Sequence, residues 1–289
     1  MENKFSRREI LGLGIGAAAL GAYGLAGAAP GKNASAGQHD TEAEAFSGKY
    51  KKYGDDIERI LLLRSAPVAV KMLEKEEDIP EGAVRPRKAG YHLAQCQAFA
   101  MSRRDRVTVA MLKEDHWCPT AVMAYGLEKR PASMEKWTHP YDCFEQGRYI
   151  GMVTAPLQKA DFDPDVVLVY AKPSQLRGLL LSAVKIEDVH DVKHHFFPPS
   201  CGWSVVNPMT DGNYRIVLPD PGEYQRALTE EGDLIFSIPV SRLDDMMSGL
   251  RQNEHGFFSY RDHQMFMEKD FELPGFYKDL FKSWGMDSE

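Results

Sequence analysis

The sequence predicts an α/β or α+β fold, a mixed sheet flanked by helices in a single main domain, with an aromatic-rich C-terminal extension. Three observations predict it. Val166-Val167-Leu168-Val169-Tyr170 is apolar at successive positions, as a strand covered on both faces would be. A short turn then leads into residues 173–186, where Leu176, Leu179, Leu180 and Val184 share one helical face behind Pro173 and Ser174. Strand, turn and helix in that order argue for helices layered on a sheet. Further short apolar runs at 67–73, 107–111, 149–155, 214–218 and 234–239 supply strands for that sheet.

The elements between them follow from periodicity and breakers. Ile57, Ile60, Leu61 and Leu63 at helical spacing, with acids early and Arg64 late, predict an amphipathic helix over 50–63. Residues 74–88 are charged and contain Pro, so they read as a loop. Residues 92–101 read as a helix with Cys96 in its middle. Pro119 at a first helical position places Cys118 at or near the N-cap of a helix over 121–127. Residues 130–146 are irregular and carry Trp137, His139, Tyr141 and Cys143. Asp161-Phe162-Asp163-Pro164-Asp165 is the turn into the central strand. Ser241-Arg242-Leu243-Asp244 resembles a capping box opening a helix that ends near Leu250. Phe257, Phe258, Tyr260, Phe266, Phe271, Phe276, Tyr277, Phe281 and Trp284 crowd the end of the chain, which reads as a segment packed over the domain surface.

The amino terminus has a different character. Ser6-Arg7-Arg8-Glu9-Ile10-Leu11 is a twin-arginine pattern ahead of a Gly-, Ala- and Leu-rich stretch over 10–29. That stretch is too mild and too rich in Gly for a permanent membrane helix, so residues 1–36 read as a twin-arginine signal peptide. Ala34-Ser35-Ala36 offers cleavage before Gly37, and Ala26-Gly27-Ala28 is a second candidate. Residues 37–48 read as a flexible tail, 49–252 as the main domain and 253–289 as the extension. The expected compartment is periplasmic or extracytoplasmic, with the twin-arginine translocase as partner during export and no stable membrane span after cleavage. That route carries folded cargo, often loaded with a cofactor beforehand.

Composition narrows the function. A net charge of −7 and a pI near 5.8, without a basic run interleaved with aromatics, argue against nucleic acid as a partner. There is no HExxH, GxSxG, P-loop or GxGxxG placed after a strand. Four cysteines, Cys96, Cys118, Cys143 and Cys201, are separated by 22, 25 and 58 residues and form no CxxC pair. Four thiols in an exported chain fit two disulfides or an iron–sulfur cluster, and spacing does not separate the two. A helix N-cap at Cys118 would favour the thiolate that ligates metal.

Several segments together resemble the family called domain of unknown function 169, also labelled ArCR. They are Leu63-Arg64-Ser65-Ala66-Pro67-Val68-Ala69-Val70-Lys71, Ile79-Pro80, Cys96-Gln97, Cys118 with Ala124-Tyr125-Gly126-Leu127, Ala155-Pro156-Leu157, Asp163-Pro164-Asp165-Val166-Val167, Cys201, and Asp233-Leu234-Ile235-Phe236-Ser237-Ile238-Pro239. The resemblance implies a fold unit and a cysteine pattern more than an activity. It places family cysteines at Cys96, Cys118 and Cys201. It expects a fourth where this chain has Leu218-Pro219-Asp220-Pro221-Gly222, and none at Cys143. Either Cys143 substitutes in space or another ligand does, with His116, His194 and His195 the nearest in sequence to Cys118 and Cys201.

The leading expectation is therefore a cofactor protein. Cys96, Cys118 and Cys201, with Cys143 or a histidine, would hold an iron–sulfur cluster or another thiophilic metal. It would serve periplasmic electron transfer, or a larger redox enzyme, through a redox partner protein or small molecule. The alternatives are a metal-free binding module stapled by two disulfides, and a metal-dependent hydrolase built on His190, His194, His195, Asp188 and Asp191, a cluster that reads otherwise as a solvated turn.

Overall fold

The computed structural model describes residues 36–133, 141–254 and 272–286, and side chains from 48 onward. The chain divides into two units, Met1–Asp40 and Thr41–Glu289. Of the first, residues 36–40 are described, and they are helical. The twin-arginine segment, Trp137 and His139 lie outside the described residues.

Helix α1 spans Ala36–Leu61. It takes in the residues read as a flexible tail, because Glu42-Ala43-Glu44-Ala45 is composed of good helix formers. Seven strands follow: β1 (Val68–Leu73), β2 (Val109–Leu112), β3 (Gly151–Pro156), β4 (Val166–Ala171), β5 (His194–His195), β6 (Arg215–Val217) and β7 (Leu234–Pro239). They form one mixed sheet in the order β2-β3-β1-β4-β7-β6-β5. All neighbours are antiparallel except β5 and β6, which are parallel. The predicted fold class holds, and β4 is the central strand its composition predicts: every residue of it is buried.

Side chains alternate across the sheet with period two. Ala69, Val153, Val167, Val169, Phe236 and Ile238 face one side. There they meet Ile57 and Leu61 of α1, Leu176 and Leu179 of α4 (Pro173–Glu187), and Met246, Met247 and Leu250 of α7 (Leu243–Gln252). Gly249 lets α7 lie against α4, since a Cβ there would stand 2.6 Å from the Ser182 carbonyl oxygen. Helix α7 opens at Arg242 after a 3₁₀ turn over Val240–Arg242, and no side chain caps it, so the box predicted at Ser241 does not form.

Val68, Val70, Val166, Leu168, Tyr170 and Ile235 face the other side. Four short helices cover it: α2 (Gln95–Ala100), α3 (Pro119–Ala124), α5 (Ser200–Asp211) and α6 (Pro221–Arg226). Helix α8 (Gly275–Ser283) belongs to the C-terminal extension and carries no buried residue. Phe276, Tyr277 and Trp284 are exposed, so this part of the extension does not bury its aromatics as the sequence suggested. Among the described residues no helix is long and apolar enough to cross a membrane.

Candidate functional site

The second face gathers chemistry that the first lacks. Chain pairing ahead of the helices brings Cys96 and Cys118 together. Leu93 and His116 form a parallel bridge, with Leu93 N–H donating to Asp115 O at 3.2 Å and Trp117 N–H to Leu93 O at 2.8 Å. The chain is therefore extended up to Ala94, and α2 starts at Gln95, where the Gln97 side chain accepts from Ala94 N–H at 2.9 Å. Cys96 thus sits in the first turn of a short helix instead of mid-helix.

The loop that delivers Cys118 is pinned by a buried ion pair. Arg85 Nε donates to Asp115 Oδ2 at 2.9 Å, and the same carboxylate accepts Leu112 N–H at 2.9 Å and Arg87 N–H at 2.7 Å. A buried pair with its remaining lone pairs filled fixes geometry more than it adds stability. Cys118 is the N-cap of α3 with Pro119 first in the helix, as the sequence predicts. Its Sγ lies 2.9 Å from Thr120 Oγ1.

Cys201 arrives from the far half of the sheet, in the first turn of α5. Asp220 ties the starts of α5 and α6 together. Its Oδ2 accepts Ser200 N–H at 2.9 Å, and its Oδ1 accepts Gly222 N–H at 2.8 Å and Glu223 N–H at 3.2 Å. Cys96 Sγ–H donates to Gly222 O at 3.7 Å, and Tyr125 O–H to Cys201 O at 3.2 Å. The starts of α2, α5 and α6 and the C-terminal end of α3 are cross-linked in this way around the three thiols.

The electrostatics are those of a dry patch. Burial, with Glu223 and Asp220 next, pushes the Cys96 thiol up to about 12. Burial also pushes Cys201 well up, seconded by Cys118 and then Asp220. Glu223 is fully buried, and burial raises it to about 7 against the opposing pull of Thr229, Tyr170 and Arg103. Its carboxylate accepts from Tyr170 O–H at 3.0 Å and Thr229 O–H at 2.8 Å. His116 packs edge-on to Tyr125, ring centroids 6.3 Å apart, and burial pushes it down to about 4. Both its ring nitrogens are buried without a hydrogen-bond partner.

The other predicted residues lie elsewhere. Cys143 is exposed, donates to Tyr141 O at 3.6 Å, and has Arg130 and Asp142 as its charged neighbours. His194 is exposed on β5; His195 stacks on Trp203 at 4.2 Å and is pushed down by burial and then Arg215. All four cysteines are free thiols. His190 pairs with Asp188 at 2.7 Å in an exposed turn, the solvated arrangement the sequence suggested.

Three of the four thiols thus meet where the resemblance placed family cysteines, and the segment expected to carry the fourth opens α6 with Asp220 and Glu223. A family match decides the identity: the model of the family described as uncharacterised ArCR, domain of unknown function 169, fits residues 56–249. The chain belongs to the ArCR family. The ArCR region holds the whole sheet and the three grouped thiols and ends within α7, before α8. No curated protein and no solved structure matches the chain.

Sequence reasoning misses Asp220 and Glu223 as site residues. Asp220-Pro221 repeats the cap-then-proline arrangement of Cys118-Pro119, and that is the signal the sequence offers for them. Among the described residues no group of three or more His, Cys, Asp or Glu side chains is disposed to hold a metal ion. Thiolates sharing one tetrahedral zinc stand about 3.8 Å apart, from a Zn–S bond of about 2.3 Å. The three thiols are neighbours whose charges act on one another, but among the described residues they are not disposed to share a single ion.

Proposed function

We propose that this chain is a cofactor protein whose thiophilic centre, in the simplest case an iron–sulfur cluster, is held by Cys96, Cys118 and Cys201. The observation that carries the reading is the grouping of three free thiols from three separate elements on one buried face. Asp220 is an oxygen donor at the patch for a fourth position, though both its oxygens also accept backbone N–H groups, and His116 is an unpartnered nitrogen donor two residues before Cys118. Cys143, exposed on its own loop, is not needed for it. A bound iron–sulfur centre supplies one-electron chemistry whose potential follows net charge, hydrogen bonds to sulfur and exposure. The residues around the patch supply those three quantities: Glu223 and Asp220 the charge, Thr120 a hydroxyl beside sulfur, and Tyr125 the dry wall. The role that follows is electron transfer, or support of a larger redox enzyme.

Export belongs to the same reading. Arg7 and Arg8 ahead of a mild apolar stretch would send a folded, loaded protein through the twin-arginine route. Arg7→Lys with Arg8→Lys in the full chain should leave it in the cytoplasm on cell fractionation, and unchanged export would remove this part of the proposal.

The test of the centre is an absorbance spectrum with iron, sulfide and zinc analysis on protein expressed and purified without oxygen. Visible charge-transfer absorption with matching iron and sulfide, lost in Cys96→Ser, Cys118→Ser and Cys201→Ser, is the expected result. Colourless, metal-free protein whose thiols react only after reduction would overturn it and favour a disulfide-stapled binding module. Because Cys96 and Cys201 are held protonated by burial, loading must release their protons, so metal uptake should strengthen as pH rises.

A further inference from the structure

Tyr170 has two surroundings. Its hydroxyl donates to Glu223 at the thiol patch, and its ring forms part of the wall of a cavity of about 670 Å³. That volume is within the range of small-molecule sites, roughly 300–1,000 Å³. Arg64, Arg103, Arg104 and Lys172 line it on the cationic side, and Glu230 and Asp233 on the anionic side.

The two acids are already matched. Lys172 Nζ lies 2.8 Å from Asp233 and 3.2 Å from Glu230. Arg64 reaches Glu230 only at 4.0 Å and is otherwise exposed. Arg103 and Arg104 meet no acid within ion-pair distance among the described residues: Arg103 Nη2 donates to Ala227 O at 2.9 Å and Thr229 Oγ1 at 3.1 Å, and Arg104 Nη1 to Leu228 O at 2.6 Å. Arg103 is only 3% exposed, its guanidinium is fixed 4.3 Å over the Tyr170 ring, and its Nε is buried without a partner. A buried guanidinium with an unfilled donor is a group that an incoming anion would complete.

The backbone adds to this. The fifteen-residue helix α4 begins at the same cavity, with Lys172 as its N-cap and Ser174 and Gln175 of its first turn in the wall. The Gln175 side chain accepts Lys172 N–H at 2.8 Å, Pro173 has no N–H, and Gln175 N–H and Leu176 N–H both donate to Lys172 O at 2.9 Å, which leaves Ser174 N–H as the first-turn donor facing the wall. The helix dipole, with that one N–H, favours negative charge there.

We infer that this cavity binds a small oxyanion, a carboxylate or a phosphate, held by Arg103 and Arg104 with Arg64 at the rim, at the positive end of α4. Tyr170 and Glu223 link the cavity to the patch, since the Tyr170 hydroxyl donates to Glu223 and the Glu223 charge acts on Cys96. The ligand's chemical class is that of a small organic acid or phosphate ester, because two planar guanidinium forks match paired oxygens. The inference stands apart from the metal reading, since the titration below reads binding whether or not the thiols hold a centre.

The experiment is calorimetric titration of the full chain at low salt with inorganic phosphate and, separately, with succinate. Saturable binding of one mole per chain is expected for at least one probe, and which one binds distinguishes phosphate from carboxylate. Arg64→Gln with Arg104→Gln, both at exposed positions, should fold normally and weaken binding by at least about tenfold, while Arg87→Gln outside the cavity should not. Added salt should weaken it further. If neither probe binds folded protein at millimolar concentration, or if the double variant binds like the parent chain, the inference fails.

Discussion

The two faces of the sheet are built from the same strands and differ in what covers them. On one, α1, α4 and α7 present Ile, Leu and Met to Ala, Val and Phe, and Gly249 closes the α4–α7 contact. On the other, short helices α2, α3 and α6 and the twelve-residue α5 bring thiols, Tyr125 and a buried carboxylate, and the bridge ahead of α3 adds an imidazole whose nitrogens have no hydrogen-bond partner. Long amphipathic helices bury hydrocarbon efficiently. Short ones leave many helix starts per unit area, and each start needs polar partners. The first face is built for stability. The second gives up apolar packing for a set of fixed polar positions, which is the arrangement a site requires.

That contrast can be broken or sharpened by experiment. Phe236→Ala removes a fully buried ring from the apolar face and should lower unfolding free energy by about 3–5 kcal/mol in denaturant titration. Metal content per folded molecule should stay the same.

The polar face should answer to pH in metal-free protein. His116 is pushed down from 6.5 to about 4, so its contribution is complete above about pH 6.5 and is lost as pH falls toward 4. Glu223 is pushed up from 4.5 to about 7, so its contribution is complete below about pH 4.5 and is lost as pH rises toward 7. Each is worth about 3 kcal/mol at 1.36 kcal/mol per pKa unit. The opposing slopes cancel between about pH 4.5 and 6.5. Glu223→Gln should therefore make stability rise with pH across that window, and His116→Leu should make it fall. Flat profiles in both variants would show that the two groups are not buried as described.

Gly249→Ala forces a methyl against the Ser182 carbonyl and should destabilise by about 1–3 kcal/mol, read by thermal or denaturant unfolding. Cys143→Ser is the smallest expected change, within about 0.5 kcal/mol, with metal content unaltered. A loss of metal in that variant alone would move the site away from the grouped helix starts.

Much of this contrast is legible in the sequence. The apolar face follows from period: Leu176, Leu179 and the run at Val166–Ala171 announce a helix on a doubly covered strand. Cys118 at a helix start follows from the proline after it. The polar face is harder to read, since its helices are too short to establish a period. Residues 200–211 contain Gly202 and Pro208, which argue against the helix that tertiary packing nonetheless imposes. Cys96 is misplaced by local pattern because nothing nearby signals the Leu93–His116 bridge, a pairing across the chain that delays the start of α2. The meeting of Cys96, Cys118 and Cys201 depends on strand order, which no local pattern encodes.

The place of Cys201 has a consequence for the order of events in the life of the chain. Between Cys96 and Cys201 the chain lays down β2, β3, β4, α4 and β5, so the thiols become neighbours only when both halves of the sheet have closed. Closing so long a stretch of chain costs entropy that the packing of the sheet has to offset. A nascent or threaded chain would offer its sulfurs singly, open to oxidation and to the wrong partners. A finished domain offers three of them as a set, with Cys96 and Cys201 buried and Cys118 half-buried. For a protein exported as proposed, assembly of the patch is the step that tells a completed molecule from an incomplete one.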